Sequence, residues 1–184
     1  MKALLIVDVQ NDFCPGGTLP APEGDRVVPV INRLMDVFPL IVASKDWHPQ
    51  TTVHFDTWPK HCIQGTKGAE LHPDLAQGRI GQIVLKGTRD RDEGYSAFES
   101  TNIDLKRFLK DRGVDSLYIT GIATEYCVKE SALDALKKGF STYIITDAVQ
   151  GIQVHEGDVE KALQDMKTAG VKVISSDDVL PSGT

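Results

Sequence analysis

The sequence contains few cysteines and no long apolar run, and both shortages exclude classes of protein. The three cysteines, Cys14, Cys62 and Cys127, are an odd number at wide spacing, which is not the pattern of a disulfide-stabilised secreted domain. The longest apolar run, residues 37–43, is short and interrupted by a proline, so no transmembrane helix is expected. The first residues form no signal peptide with a cleavage site. We therefore expect a cytoplasmic protein with reduced thiols.

The sequence also lacks an excess of positive charge and a glycine-rich nucleotide motif. Its 20 lysines and arginines against 26 acidic residues give a net charge of -6, which argues against nucleic acid or a membrane as the partner. The first predicted strand leads into Asp8-Val-Gln-Asn-Asp12 rather than a dinucleotide fingerprint, so a nucleotide-binding oxidoreductase is not favoured. With 41% apolar and 25% charged residues, residues 1–184 are expected to form one globular domain.

Short apolar segments alternate with helical patterns along the chain. The segments are continuously apolar, which is typical of strands buried on both faces of a parallel sheet. The alternation predicts an α/β fold: a doubly wound, mainly parallel six-stranded sheet with helices on both faces. The predicted strands are residues 3–7, 40–44, 82–85, 116–120, 142–146 and 171–174; the predicted helices are residues 27–37, 103–112, 125–138 and 159–169, and residues 180–184 form a tail.

One connection, residues 46–79, is long, has little periodicity and is rich in histidine. Such a connection in a compact domain is usually functional. It opens with Asp46 and His48, whose side chains leave the same face of an extended segment, and His54 and His61 can fold back to join them. Imidazole with carboxylate suits zinc, iron or manganese. The connection therefore predicts a metal-binding insertion, although its composition is also compatible with a surface loop rich in histidine.

Charged or reactive residues follow the predicted strands. Asp8 comes after the first strand, Asp46 after the second, Lys86 after the third and Cys127 shortly after the fourth. The carboxyl ends of parallel strands meet at one edge of a sheet, where ligands bind, so these side chains are expected to converge. Alone, Asp8 is compatible with a turn residue and Lys86 with a lysine that extends its amine to solvent.

Cys127 has a local environment that favours reactivity. Thr124 is a candidate N-cap, which would make Cys127 the third residue of the helix. Free backbone amides and the positive end of the helix dipole favour a thiolate there, and the same amides can receive the oxyanion of a tetrahedral intermediate. The alternative is that Cys127 is a small buried apolar residue, as expected for Cys14 and Cys62.

Several motifs occur together in this chain. They are Ile-Val-Asp-Val-Gln-Asn-Asp-Phe at 6–13, Asp-Trp-His-Pro at 46–49, Trp-Pro-Lys-His-Cys-Ile-Gln-Gly at 58–65, Lys-Gly at 86–87, Tyr-Ser-Ala-Phe at 95–98 and Gly-Ile-Ala-Thr-Glu-Tyr-Cys-Val at 121–128. Together they resemble the nicotinamidases of the isochorismatase-like cysteine hydrolases, from the first strand to about residue 148. Many hydrolases of this fold share the Asp, Lys and Cys positions without the metal segment, so the metal segment is the specific part.

The resemblance implies a nicotinamidase, an amidohydrolase that converts nicotinamide to nicotinate and ammonia through a cysteine thioester. Its triad would be Asp8, Lys86 and Cys127, with the backbone amides of Ala123 and Cys127 as the oxyanion hole. The resemblance also implies a cis peptide bond before Ala123. A role in pyridine-nucleotide salvage follows from the same resemblance.

The resemblance further implies one divalent metal ion, zinc being favoured over iron or manganese. Asp46, His48 and His61 match the metal ligands, and His54 matches a fourth histidine that some members use directly or through water. The metal would contact the pyridine nitrogen and so orient the ring.

Phe13 and Trp58 match the positions that stack the substrate ring, and pyrazinamide would fit the same pocket. The alternatives are a related hydrolase that acts on another small amide and a catalytically silent metal- or ligand-binding protein. The sequence leaves the oligomeric state open, a homo-oligomer included. It gives no role to the charged segment at residues 88–94, which we expect to be a solvated loop.

Overall fold

The computed structural model describes residues 1–181, so the last three residues of the predicted tail and of the predicted domain lie outside the described residues. All six predicted strands are present in one sheet with the order β3-β2-β1-β4-β5-β6. Every pairing of neighbouring strands is parallel. The strands are β1 (Lys2–Val7), β2 (Ile41–Asp46), β3 (Gln82–Lys86), β4 (Ser116–Ile122), β5 (Ser141–Gln150) and β6 (Lys172–Ile174).

Both faces of the sheet are buried, which explains the continuously apolar strands. In β1, Leu4 and Ile6 pack into the core on one face, whereas Leu5 and Val7 pack into the core on the other. Successive side chains of a strand point to opposite faces, so a strand covered on both sides is apolar at most positions, and its few buried polar side chains, such as Ser44, make hydrogen bonds.

Within residues 1–181, four α-helices and several short turns cover the two faces. Their bounds are α1 (Val27–Leu34), α2 (Leu105–Asp111), α3 (Lys129–Lys137) and α4 (Asp158–Ala169). Helix α1 packs on one face, and α2, α3 and α4 contribute to the core on the other. Three predicted helices are shorter than expected: α1 gives way to a 3-10 turn at Met35–Val37, α2 begins only after its N-cap Asp104, and α3 is preceded by a π-helical turn at Thr124–Val128.

The strand order reverses between β1 and β4, and this reversal positions the site. In such a sheet the crevice for a ligand lies outside the carboxyl ends of the strands on either side of the reversal. The long connection returns to this edge, because His48 pairs with Ile63 and Gln10 pairs with Leu71 in isolated β-bridges. None of the helices within residues 1–181 has the length and apolar character needed to cross a membrane.

Candidate active site

Lys86, the last residue of β3, lies at the centre of the site with its side chain fully buried. Its Nζ is 2.7 Å from Asp8 Oδ2 and 3.4 Å from Cys127 Sγ. It also donates hydrogen bonds to the Gly94 carbonyl, at 2.7 Å, and to Asp46 Oδ1. Burial acts to lower the pKa of Lys86, but the charges of Asp46 and Asp8 outweigh burial and raise that pKa well above its usual value. Lys86 therefore carries a positive charge shared by two carboxylates.

Asp8 follows β1 and is fully buried. Its backbone is in the left-handed region, with φ 47°, a conformation that aspartate adopts more readily than most residues. Ser44 Oγ donates a hydrogen bond to Asp8 Oδ1 at 2.7 Å. Burial and the nearby Asp46 carboxylate raise the pKa of Asp8, against the opposing effect of Lys86. A raised pKa makes Asp8 a stronger base than an exposed aspartate.

The turn that carries Cys127 differs from the predicted one. Ala123, not Thr124, is the N-cap, and Thr124 is the first residue of the π-helical turn. Val128 N–H donates to the Ala123 carbonyl at 3.1 Å, the wide i→i−5 bond of a π turn. The predicted N-cap at Thr124 was therefore wrong, and Cys127 is the fourth residue of the turn. The Ile122–Ala123 peptide bond is cis, as the resemblance implied.

Cys127 is buried, and its burial changes the expected charge state of the thiol. Burial, together with the negative charges of Asp8 and Asp46, raises the pKa of Cys127 well above its usual value, despite the opposing effect of Lys86. Desolvation of the buried thiol thus opposes the thiolate that the amide end of a helix was expected to favour. The thiol is therefore neutral at rest and needs a base to become a nucleophile. A carboxylate oxygen of Asp8 lies within 4.8 Å of Cys127 Sγ.

The predicted metal ligands come together beside Asp8, Lys86 and Cys127. His48, His54 and His61 are buried, and one ring nitrogen of each lies within 4.8 Å of the others. Asp46 Oδ2 lies 3.5 Å from His48 Nε2 and 3.7 Å from His61 Nε2. Three imidazoles and one carboxylate therefore face one another in a protected space.

The hydrogen bonds of the histidines leave donor atoms for a metal. His48 Nδ1 bonds the Gly87 carbonyl at 2.9 Å, and His61 Nδ1 bonds the Pro59 carbonyl at 2.7 Å. Because a carbonyl only accepts, each Nδ1 carries the proton and each Nε2 has a free lone pair, the arrangement typical of metal-binding histidine. His48 Nε2 and His54 Nδ1 are buried and make no hydrogen bond with any of residues 1–181. This donor set fits one divalent metal ion.

Gly87 makes room for the first of these histidines. Its φ is +62°, and a Cβ atom there would lie 2.5 Å from His48 Cε1. No real side chain tolerates such a contact, so the residue after Lys86 must be glycine for β3 to end beside the histidine cluster.

Asp46 joins the two groups of residues into one site. Its Oδ1 accepts a hydrogen bond from Lys86, whereas its Oδ2 faces His48 and His61. Burial acts to raise the pKa of Asp46, but the opposing effects, led by the positive charge of Lys86, hold that pKa well below its usual value. Asp46 is therefore ionised throughout the neutral range.

An aromatic cleft opens onto both Cys127 and the histidine cluster. Trp58 Nε1 donates a hydrogen bond to Tyr95 Oη at 2.9 Å, and Tyr126 meets the Trp58 ring edge-on, with ring centroids 4.9 Å apart. Phe13 packs against His61 at 5.3 Å. The cleft is lined by Phe13, Leu19, Asp46, His54, Trp58, His61, Tyr95, Ala123, Tyr126, Cys127 and Ile152.

Sequence reasoning missed some residues of this cleft. Tyr95 and Tyr126 lie in motifs that carried the resemblance, so their aromatic rings were a usable signal. Leu19 and Ile152 come from separate loops, and nothing in their local sequence distinguishes them from other apolar residues.

The charged segment at residues 88–94 is mostly exposed, as expected for a loop, but its ends contact the site. Gly94 is buried and its carbonyl accepts from Lys86. Val53 N–H donates to the Asp90 carbonyl at 2.9 Å, and Glu93 Oε2 lies 3.7 Å from His54 Nδ1. The segment therefore contacts both Lys86 and the turn that carries His54.

The chain is similar to one known family and to several of its characterised or structurally solved members. Residues 2–178 match the Isochorismatase domain family. The chain is 41% identical to a nicotinamidase of Acinetobacter baylyi, over 97% of this chain and 94% of the relative. Among solved structures, Pyrococcus horikoshii pyrazinamidase in complex with zinc is 46% identical with a TM-score of 0.86, covering 95% of this chain and 98% of the other. PnC1 of L. infantum in complex with nicotinate is 33% identical with a TM-score of 0.90, covering 96% of this chain and 93% of the other.

Proposed function

The chain belongs to the isochorismatase family, and we propose that it is an amidohydrolase that converts nicotinamide to nicotinate and ammonia. The observation that carries this proposal is that one aromatic cleft reaches both the Asp8–Lys86–Cys127 group and a histidine cluster suited to a metal ion. The first group suits attack on an amide, and the second suits a heteroaromatic nitrogen. The nicotinamidase and pyrazinamidase relatives support the same reaction.

The first half of the reaction uses the raised basicity of Asp8. Asp8 removes the proton from the Cys127 thiol, and the sulfur then attacks the carboxamide carbon of nicotinamide. The backbone amides of Ala123 and Cys127 stabilise the oxyanion that forms. Protonated Asp8 returns its proton to the departing nitrogen, the C–N bond breaks, and ammonia leaves a nicotinoyl thioester on Cys127.

The second half regenerates the enzyme. Asp8, now a carboxylate again, removes a proton from water, whose oxygen adds to the thioester carbon. Collapse of the tetrahedral intermediate breaks the C–S bond, and the proton returns to the sulfur to give nicotinate and the free thiol. Lys86 holds the carboxylate and the sulfur in one geometry throughout, because its ammonium contacts both.

The residues that orient the substrate lie on the side of the cleft away from Cys127. Phe13 and Trp58 hold the flat ring, and the bond from Trp58 to Tyr95 fixes the indole plane. Asp46, His48 and His61, with His54 as a fourth donor, would hold one divalent ion, for which we favour zinc over iron or manganese. When bound, that ion supplies a Lewis-acid contact for the pyridine nitrogen. Pyrazinamide also carries a ring nitrogen and a carboxamide, so we expect it to be a substrate.

Ammonia release by purified protein tests the proposal. Nicotinamide, pyrazinamide and benzamide should be compared, because benzamide lacks the ring nitrogen. We expect release from the first two, little from benzamide, and none from any substrate with Cys127→Ala. Cys14→Ala is the matched control, since Cys14 is also buried but lines no part of the cleft. No release from folded, metal-loaded protein would reject nicotinamide as substrate and leave another small amide as the alternative.

A further inference from the structure

Gln10 is a fully buried glutamine that lies between Asp8 and Phe13 in the sequence. Its side-chain amide bonds both backbone groups of one residue: Oε1 accepts from the Asp46 N–H at 2.8 Å, and Nε2 donates to the Asp46 carbonyl at 2.8 Å. Nε2 also donates to the Ala69 carbonyl at 3.0 Å. The Gln10 side chain thus makes three hydrogen bonds, which link it to two other segments of the chain.

The end of β1 explains why Asp46 needs this partner. Strand β1 pairs with β2 only as far as the Ile6–Ala43 register, and one further backbone bond joins Asp8 N–H to the Ser44 carbonyl at 3.2 Å. Beyond that point β1 has turned away, and Asp46 has no strand neighbour on that side. The Gln10 amide takes the place of a strand residue, since one group supplies both the acceptor and the donor that a neighbouring backbone would offer.

We propose that Gln10 is the positioning residue for Asp46, and that it sets the carboxylate between Lys86 and the histidine cluster. Asp46 must present Oδ1 to Lys86 and Oδ2 to His48 and His61 at once, so small rotations of its backbone disturb both sides. The bond to Ala69 holds the far end of the long connection in the same register. This inference rests on the metal site of the proposed function.

Gln10→Glu is the sharpest substitution because it preserves shape. The carboxylate keeps one acceptor for the Asp46 N–H but replaces the donor with an oxygen that faces two carbonyl oxygens. Those oxygens repel it, and the Asp46 backbone must shift. Outer residues that orient metal ligands typically change metal affinity about 10–100-fold when mutated. Gln10→Asn keeps the amide but is one methylene too short to bond both the N–H and the carbonyl of Asp46. It replaces Gln10→Glu in the test if the glutamate variant fails to fold.

Gln64→Glu is the matched control. Gln64 Nε2 likewise donates to two carbonyls, those of Trp47 at 2.9 Å and Thr88 at 3.2 Å. The substitution therefore makes the same chemical change at a side chain that bonds Trp47, the residue after Asp46, and makes no hydrogen bond to Asp46 itself. The side chain is exposed, so its substitution should alter metal affinity by no more than about twofold.

The experiment measures metal binding directly. Zinc affinity of the metal-free proteins is determined by competition with a chromophoric chelator, and the visible absorption of Co²⁺-loaded protein reports the ligand geometry. Melting curves of the metal-free forms identify variants that fold. We expect folded Gln10 variants to bind zinc about 10–100-fold more weakly with an altered Co²⁺ spectrum, and Gln64→Glu to match the wild type.

Three other outcomes would separate the inferences. Folded Gln10 variants with wild-type zinc affinity and Co²⁺ spectrum would overturn the positioning role, while ammonia release from nicotinamide would leave the proposed function standing. A wild-type protein that binds zinc but releases no ammonia would overturn the proposed substrate, and the Gln10 comparison would still decide the positioning role. A wild-type protein that binds neither zinc nor Co²⁺ would overturn the inference itself.

Discussion

Replacing Lys86 with methionine should destabilise the protein strongly as well as abolish activity. The side chain is fully buried, and its ammonium is the positive partner of both Asp8 and Asp46. Methionine fills a similar volume but leaves two carboxylates close together with no counter-charge. Removing one partner of a buried ion pair costs about 3–5 kcal/mol, which for a chain of this size corresponds to a fall in Tm of roughly 6–20 °C.

The pH dependence of this loss has a definite sign. Without the ammonium, burial and mutual repulsion should raise the pKa of Asp8 and Asp46 in the folded protein above their unfolded values. A raised carboxyl pKa means that stability is retained at low pH and is lost as the pH rises through the folded pKa. The deficit of Lys86→Met relative to wild type should therefore be small near pH 4 and large at pH 7.

Thermal unfolding of metal-free protein at several pH values measures the effect. Lys137→Met is the control, because the exposed Lys137 side chain pairs with Asp134 at the protein surface, an interaction worth about 0–1 kcal/mol. The double variant Asp8→Asn/Lys86→Met should recover part of the stability, since it removes one of the two unpaired charges. A Lys86→Met protein that melts within about 2 °C of wild type at pH 7 would refute the role assigned to this ion pair.

Further predictions concern the nucleophile, the metal ligands and the cleft. Cys127→Ala should abolish ammonia release and leave metal content unchanged by elemental analysis; retained turnover would contradict the covalent route. Because burial raises the pKa of Cys127, its alkylation, mapped by mass spectrometry, should accelerate from pH 6 to 9 without reaching a plateau. His48→Ala should lose metal and raise KM, whereas the exposed His155→Ala should do neither. Trp58→Phe removes the bond to Tyr95 and should raise KM about 3–10-fold, corresponding to about 1 kcal/mol for one hydrogen bond; an unchanged KM would argue against a fixed indole.

Much of the fold could be predicted because the physics behind it is local. A strand covered on both faces is apolar at most positions, so the run from Ala3 to Val7 predicted a parallel strand. The spacing of Asp46 and His48 placed both side chains on one face of an extended segment, and the structure brings them together. Strand ends such as Lys86 could be expected at one sheet edge once a parallel sheet was inferred.

The remainder depends on contacts between distant segments. Thr124 resembles an N-cap, but β4 continues to Ile122 and the helix opens with a π turn, which no local pattern reveals. The charge state of Cys127 depends on how fully the folded chain excludes water from it, and sequence position does not give that. The bonds of Gln10 span 36 and 59 residues, so its partners emerge only from the tertiary structure.

The central claim is that nicotinamide reacts through a thioester on Cys127. Acid quenching of the wild-type protein during turnover, followed by peptide mass spectrometry, tests this claim most directly. The account predicts one nicotinoyl group on the peptide that contains Cys127, and none on the peptides of Cys14 or Cys62. Continued hydrolysis of nicotinamide by Cys127→Ala at the wild-type rate, with no acylated peptide in the wild type, would contradict it.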